Sequence, residues 1–189
     1  MTPQLLRVMY APLDYIHPDR FSYTGNGPAG SVPALTMVPA ISRTINHELI
    51  RRYALPVKLD FVLSHTNFSD RLVSEWHQVR RAAWLLGCKL ARGSLARNGG
   101  YARLPDLARR FVAIPLDCPA LELAQPVTSA GLEMHGAAYL LALRGQLPSA
   151  LAERLPLLFE PATESKIWSG PLNRSLLTFA FDYAKTTQH

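Results

Sequence analysis

The stretch FSDRLVSEWHQVRRAAWLLGCKLARGSLA, residues 68–96, decides the fold class of this chain. Its apolar residues recur at three- and four-residue steps, as they do on one face of an α-helix; they are Leu72, Val73, Trp76, Val79, Ala83, Leu86 and Leu90. Ser69 is the predicted N-cap, with Asp70 in the first turn, and the RNGG that follows the stretch ends the helix. The pattern predicts a long amphipathic helix, weakened internally by Gly87 and Gly93.

Further helices are predicted on both sides of this stretch from apolar spacing and from proline and glycine positions. They are ISRTINHELIRRYAL (41–55), PDLARRFVAI (105–114), SAGLEMHGAAYLLALRG (129–145), PSALAERLPLLF (148–159) and PLNRSLLTFAFDYAKT (171–186). Gly145 is the predicted C-cap of the third, and Pro156 stops the fourth. VKLDFVLS (57–64) is the one fair strand candidate. The predicted class is mostly α, with little or no strand.

The size and composition of the chain favour a single compact helical domain over residues 1–189. It has 189 residues, of which 48% are hydrophobic and 18% charged, enough to close one core. Residues 1–40 contain six prolines and the sequence TGNGPAG, so they are predicted to form an N-terminal arm and loop. Residues 41–189 are the predicted helical body, with a core of Trp76, Trp84, Leu86, Leu140, Leu143, Leu157, Phe159, Phe179 and Phe181. Phe179 and Phe181 cannot both face inward, so one is expected at an interface.

The two cysteines and the N-terminus indicate a reduced, cytoplasmic protein. Cys88 lies in an apolar run and is predicted to be a buried packing residue, whereas Cys118 lies in a predicted loop. Neither belongs to a CxxC motif or a Cys/His cluster. The first residues have no signal-peptide pattern, and no window has the roughly 18 apolar residues that a membrane-spanning helix needs.

Positive charge is concentrated in one block. The chain carries a net charge of +6, and residues 71–110 contain nine cations against two acids. The nine are Arg71, Arg80, Arg81, Lys89, Arg92, Arg97, Arg103, Arg109 and Arg110. Such a block is typical of a surface that binds an acidic protein partner or of a solvated face. A nucleic-acid-binding surface is a weaker alternative, because no nucleic-acid-binding motif accompanies the block. The arginine pairs beside the apolar positions, Arg80, Arg81, Arg109 and Arg110, are the candidate partner interface.

No constellation of residues indicates an enzyme, a metal site or a cofactor. HELIR at 47–51 lacks the second histidine of a zinc-protease helix, and no glycine-rich segment runs into a GK[ST] helix start. His135, in an apolar helix, is predicted to be a hydrogen-bonded core residue. We therefore expect no catalytic residues, no cofactor and no metal.

One short segment, PLDYIHPDRF at residues 12–21, resembles an enzyme active site at first sight. Its candidate structural or docking residues are Asp14, Tyr15, His17, Pro18 and Arg20. The structural interpretation is that the prolines fix φ and the polar side chains bind turn amides. The rival interpretation, a small helical enzyme, needs a pocket around Tyr15, His17 and Asp19.

In four segments the chain resembles the OrgA/MxiK group, the SctK component of type III secretion sorting platforms. The segments are PLDYIHPDRF, WHQVRRAAWLLGCKLARGSLARNGGYARLPDLARRFVA, LPSALAERLPLLFEP and LLTFAFDYAK, which follow one another between residues 12 and 185. Little likeness is seen in residues 22–70 and 115–135.

The resemblance implies a non-enzymatic adaptor at the cytoplasmic face of the bacterial inner membrane. Its implied partners are the cytoplasmic domain of the inner-membrane ring protein (SctD, PrgH- or MxiG-like) and the pod protein SctQ (SpaO-like). Through the pod it is implied to meet the stator and the ATPase indirectly. The alternative from the residues alone is a basic helical nucleic-acid-binding domain.

Overall fold

The structure is a computed structural model that describes residues 2–22, 39–62, 67–123 and 128–186. In these ranges the chain forms ten α-helices joined by short 3-10 turns, and no strand. The helices are α1 (Pro3–Tyr10), α2 (Pro18–Ser22), α3 (Pro39–Arg52), α4 (Phe68–Ser74), α5 (Val79–Leu90), α6 (Arg92–Arg97), α7 (Asp106–Ala113), α8 (Ser129–Leu141), α9 (Ser149–Ala152) and α10 (Arg174–Lys185). The predicted mostly α class is confirmed.

The predicted long helix over residues 68–96 is wrong in its continuity. It is divided into α4, α5 and α6, with a 3-10 turn at Trp76–Gln78 and a second break at Ala91, two residues before Gly93. Glycine in a helix interior costs about 1 kcal/mol relative to alanine, which favours a break near it. The N-cap is Asn67 and not the predicted Ser69.

Three smaller expectations also differ from the structure. α8 ends at Leu141 with Ala142 as its C-cap, so Gly145 lies beyond the helix in a 3-10 turn. Pro156 does not stop a helix but lies inside the 3-10 turn Leu155–Leu158, where its missing N–H costs nothing. The described part of the strand candidate, residues 57–62, forms no ladder.

Two compact units share the chain, and both are discontinuous in sequence. The first comprises Met1–Trp76 and Arg144–Pro161, and the second comprises His77–Leu143 and Ala162–His189. The prediction of one domain over residues 1–189 stays a prediction.

The core of the first unit combines its two sequence segments. Ile16, Leu49, Leu55 and Leu157 form a buried cluster. α1, which was not among the predicted helices, buries Leu5, Val8 and Met9 in the same unit. The N-terminal residues are thus part of a core as well as of the predicted arm.

α5 is the centre of the second unit, where it packs against α8, α10 and α7. Its crossing with α8 is unusually close: a Cβ added to Gly136 would lie 1.7 Å from the carbonyl oxygen of Ala83, and one added to Gly87 would lie 1.8 Å from that of Leu132. Only glycine permits backbones to approach this closely. These two positions therefore set the distance between the two helices.

The core residues predicted from helical spacing are mostly buried. Of the nine, Trp84 is half-buried and Phe179 is 39% exposed, and the other seven are buried. Phe181 faces the core, so Phe179 is the outward member of that pair, as the alternation requires.

Candidate functional site

The segment PLDYIHPDRF is held in the first unit by backbone carbonyls. The Tyr15 hydroxyl donates to the carbonyl oxygen of Val8 at 2.9 Å, and the His17 N–H donates to that of Leu157 at 2.7 Å. Arg20 is 6% exposed, and its Nε donates to the carbonyl oxygen of Phe159 at 2.7 Å. The bonds to Leu157 and Phe159 attach the segment to residues far away in the sequence, and the bond to Val8 attaches it to α1.

Of the five candidate arm residues, only Asp14 and Pro18 are exposed. Tyr15 and His17 are partly buried, and the Tyr15 ring lies edge-on to Trp76 at 5.4 Å. Burial raises the pKa of the Tyr15 hydroxyl, which opposes its use as a base at neutral pH. His17 Nδ1 lies 3.3 Å from the Asp19 N–H, a local turn contact. These contacts hold the segment in the first unit, and its structural or docking role stays a prediction.

Arg154 is a fully buried cation that the sequence analysis did not single out. Its guanidinium donates to the carbonyl oxygens of Val8 at 3.2 Å, Ala150 at 2.9 Å and Met9 at 2.8 Å. Val8 and Met9 lie in the last turn of α1, where unpaired carbonyls and the negative end of the helix dipole favour a cation. Burial lowers the pKa of Arg154, and the nearby Tyr15 opposes that shift.

Lys89, in the second unit, is also a buried cation that donates hydrogen bonds to carbonyl oxygens at the end of a helix. It is fully buried, and its Nζ donates to the carbonyl oxygens of Val112, at 2.7 Å, and Ile114, at the end of α7. Desolvation lowers its pKa. Lys89 was counted in the basic block, but it is not available to a partner.

The four candidate interface arginines differ in their surroundings. Arg80 forms an ion pair with Glu133 of α8, with 2.7 Å between Nε and Oε1, and Arg109 pairs with Asp106 of its own helix. Arg81 donates to the carbonyl oxygen of Thr186 at 3.0 Å. Arg110 is exposed and makes no side-chain hydrogen bond or ion pair within the described residues. Arg110 is therefore the candidate with the fewest contacts inside the protein, although its charge helps to lower the pKa of Asp106; the interface stays a prediction.

Much of the predicted positive field is neutralised by acids from outside the basic block. Glu133 pairs with Arg80, and Glu122 pairs with Arg97. Arg92, Arg103 and Arg110 are the exposed cations of the block that form no ion pair in the described ranges. This number of unpaired cations is smaller than the nine that the sequence places in the block, which weighs against a nucleic-acid groove, since such a groove needs a continuous basic track.

Exposed hydrophobic side chains are concentrated in the first unit. What we call the apolar surface consists of Leu6, Tyr10, Val57, Leu59 and Val62, of which Val62 is 87% exposed. The Tyr10 hydroxyl donates to the carbonyl oxygen of Val57 at 3.1 Å, which joins α1 to the segment after α3. In the second unit, the corresponding exposed residues are Phe179 and Ile167.

The described residues contain neither a cluster of metal ligands nor a membrane-spanning helix. No group of three or more His, Cys, Asp or Glu side chains is arranged to hold a metal ion. None of the described helices is both long enough and apolar enough to cross a bilayer. Both cysteines are buried free thiols, and burial raises the pKa of Cys88 to about 12.

Comparison with known proteins gives one consistent result. The family model described as "Bacterial type III secretion apparatus protein (OrgA_MxiK)" matches residues 5–186. The oxygen-regulated invasion protein OrgA of Salmonella typhimurium, from strains 14028s, SL1344 and LT2, is 29% identical over 179 residues, which are 95% of this chain and 85% of OrgA. The solved cytoplasmic domain of the sorting platform protein PscK from P. aeruginosa has a similar fold. Its TM-score is 0.58 at 19% identity, over 95% of this chain and 91% of that one.

Proposed function

Because the chain belongs to the OrgA_MxiK family of bacterial type III secretion apparatus proteins, we propose that it is a cytoplasmic adaptor of the sorting platform. In this role it joins the cytoplasmic domain of an SctD-like inner-membrane ring protein to an SctQ-like pod protein, without catalysing a reaction. The family match over residues 5–186 is the observation that carries the proposal. The likeness in fold to a domain described as cytoplasmic and as part of a sorting platform supports it.

An adaptor needs at least two surfaces that bind different partners. The first unit has the apolar surface, and the second has the exposed arginines of the basic block that form no ion pair within the described residues, among them Arg110. Apolar side chains and arginines are both enriched at protein interfaces, and contacts to arginine favour acidic partners. We therefore assign one partner to each unit.

The contacts of the arginines decide which substitutions test this assignment. A carboxylate at position 80 would face Glu133, and one at position 109 would face Asp106, so reversing either charge also disturbs the protein itself. Arg110→Glu breaks no hydrogen bond or ion pair within the described residues, and the charge of Arg110 acts on Asp106 less than that of Arg109 does. Arg92→Glu is its matched control, because Arg92 is exposed, unpaired within the described chain and outside the candidate set.

Binding to purified homologues of SctQ and of the SctD cytoplasmic domain is measured by biolayer interferometry. We expect the parent to bind both. Arg110→Glu should weaken one of them roughly tenfold or more, as like charges at an interface do. The double variant Val57→Ser with Val62→Ser should weaken the other partner, while Arg92→Glu binds like the parent. A folded parent that captures neither homologue would refute the adaptor function.

A further inference from the structure

We propose that a cavity in the second unit binds an apolar side chain carried by an acidic segment of a protein partner. The inference rests on the proposed function only in taking that partner to be a protein. The cavity has a volume of about 360 Å³ and lies among residues of α5, α6, the turn after α6, and the start of α8. That volume is within the usual range of ligand pockets.

The cavity walls are mainly apolar. Leu95, Leu104 and Leu132 contribute to the lining and are otherwise buried, and Trp84 lines it as a half-buried residue. The indole N–H of Trp84 is shielded from solvent and has no acceptor among the described residues. The part of Trp84 that lines the cavity is therefore its apolar ring surface and not its N–H, and this surface suits an apolar side chain.

The charge at the opening selects an acidic segment. Arg103 lines the cavity, is exposed, and its side chain forms no ion pair or hydrogen bond within the described part of the chain. No acidic side chain is among the lining residues. Ser129, the first residue of the thirteen-residue helix α8, also lines the opening, at the positive end of the helix dipole. A carboxylate beside the anchoring side chain therefore meets positive potential and no competing acid.

The wall is formed by a turn that depends on glycine. Gly99 has φ of +66°, and a Cβ on Gly100 would lie 2.9 Å from Cδ2 of Leu95. Gly99 permits the positive φ of this turn, and Gly100 lets the chain pass close to Leu95 before the 3-10 turn that carries Arg103. The cavity is therefore formed by the fold before any ligand binds, as anchor pockets at protein interfaces commonly are.

The first test uses the full chain and two short probes, N-acetyl-Glu-Leu-Glu-amide and its alanine counterpart. The indole N–H signal of Trp84, assigned with Trp84→Phe, is followed by NMR as each peptide is added. We expect a saturable shift with the leucine peptide, at a Kd on the order of 1 mM or tighter, and at least tenfold weaker binding of the alanine peptide. Arg103→Glu should weaken the leucine peptide by a similar factor, whereas Arg92→Glu should not. Equal binding of both peptides, or the absence of any shift, would overturn the proposal.

The second test blocks the opening in the intact protein. Ser129→Trp places a bulky side chain at the exposed rim, and Ser175→Trp makes the same change at an exposed first-turn position of α10, away from the cavity. We expect only Ser129→Trp to abolish the peptide shift and to weaken capture of one purified homologue. If the parent captures the homologues and Ser129→Trp captures them equally well, the cavity proposal fails and the adaptor function stands. If the parent captures neither while the peptide result holds, the adaptor function fails and the cavity proposal stands.

Discussion

Gly136→Ala is the substitution with the largest expected effect on stability, because the crossing of α5 and α8 has no room for a side chain there. The added Cβ would lie 1.7 Å from the carbonyl oxygen of Ala83 and 2.7 Å from the backbone nitrogen of Gly87. Both obstacles are helix backbone, which cannot rotate away as a side chain does. The two helices therefore have to move apart.

The size of that movement sets the expected loss. Ordinary van der Waals contact begins at 3.4 Å, so a contact of 1.7 Å requires a separation of about 1.7 Å (3.4 minus 1.7). A gap of 0.5–1 Å already removes about a quarter to a half of the dispersion energy of a contact. Overpacking of a core costs about 1–3 kcal/mol and occasionally more, and the better helix propensity of alanine returns about 1 kcal/mol. Since backbone obstructs the most extensive helix pair of the unit, we place the overpacking cost above that range, at about 4 kcal/mol, and expect a net loss of about 3 kcal/mol.

The measurement is urea denaturation followed by circular dichroism, together with the melting temperature, which should fall by roughly 6–12 °C. Gly93→Ala is the matched control, because its Cβ would lie 3.6 Å from Nη1 of Arg97 and 3.7 Å from Oε1 of Glu122, both in ordinary contact. That variant should be unchanged or more stable by up to about 1 kcal/mol. If Gly136→Ala lies within about 0.5 kcal/mol of the parent, as a typical surface substitution does, the two helices do not cross as closely as described.

Three other outcomes are expected. Arg154→Met should cost about 3–5 kcal/mol of unfolding free energy by urea denaturation, because the carbonyls of Met9 and Ala150 lose the guanidinium donor and that of Val8 keeps only the Tyr15 hydroxyl; a loss below about 1 kcal/mol would contradict this. Cys88→Ala should cost on the order of 1 kcal/mol at pH 7 and leave partner binding intact. The Cys88 pKa of about 12 keeps the folded thiol neutral while the unfolded thiol ionises near pH 9, so stability is full below that pH and falls above it by up to about 1.4 kcal/mol per pH unit. Cys88→Ala should remove this contribution to the alkaline slope, and an identical slope would contradict the assignment. Arg110→Glu should leave the circular dichroism spectrum and melting temperature unchanged while weakening one partner, and unfolding of this variant would show that Arg110 supports the fold.

The helical class could be predicted from the sequence because burial in helices produces a local apolar period. The same period could not predict the breaks at Glu75 and Ala91, since each shorter helix keeps the apolar stripe over its own length. The alternation of Phe179 and Phe181 was predictable for the same local reason, and only the structure shows which of them faces outward.

The charges were less predictable than the helices, because their partners are distant in the chain. Lys89 stands in the apolar run WLLGCKL, which was a signal of burial, but its acceptors at the end of α7 are more than twenty residues away. Glu133, which neutralises Arg80, lies 53 residues further along. A net charge counted over a sequence window therefore overstated the positive potential that the second unit presents.

The first unit is made of two segments that are far apart in the sequence, and this has a consequence for synthesis on the ribosome. Arg20 bonds to Phe159, 139 residues later, and Arg154 bonds back to Val8 across 146 residues. At translation rates of about 5–20 residues per second, α1 and α2 wait roughly 7–30 s before those acceptors and donors are made. During that time Leu5, Val8 and Met9 have no complete core to enter. The nascent N-terminal segment is thus a natural substrate for chaperones that bind emerging hydrophobic chain.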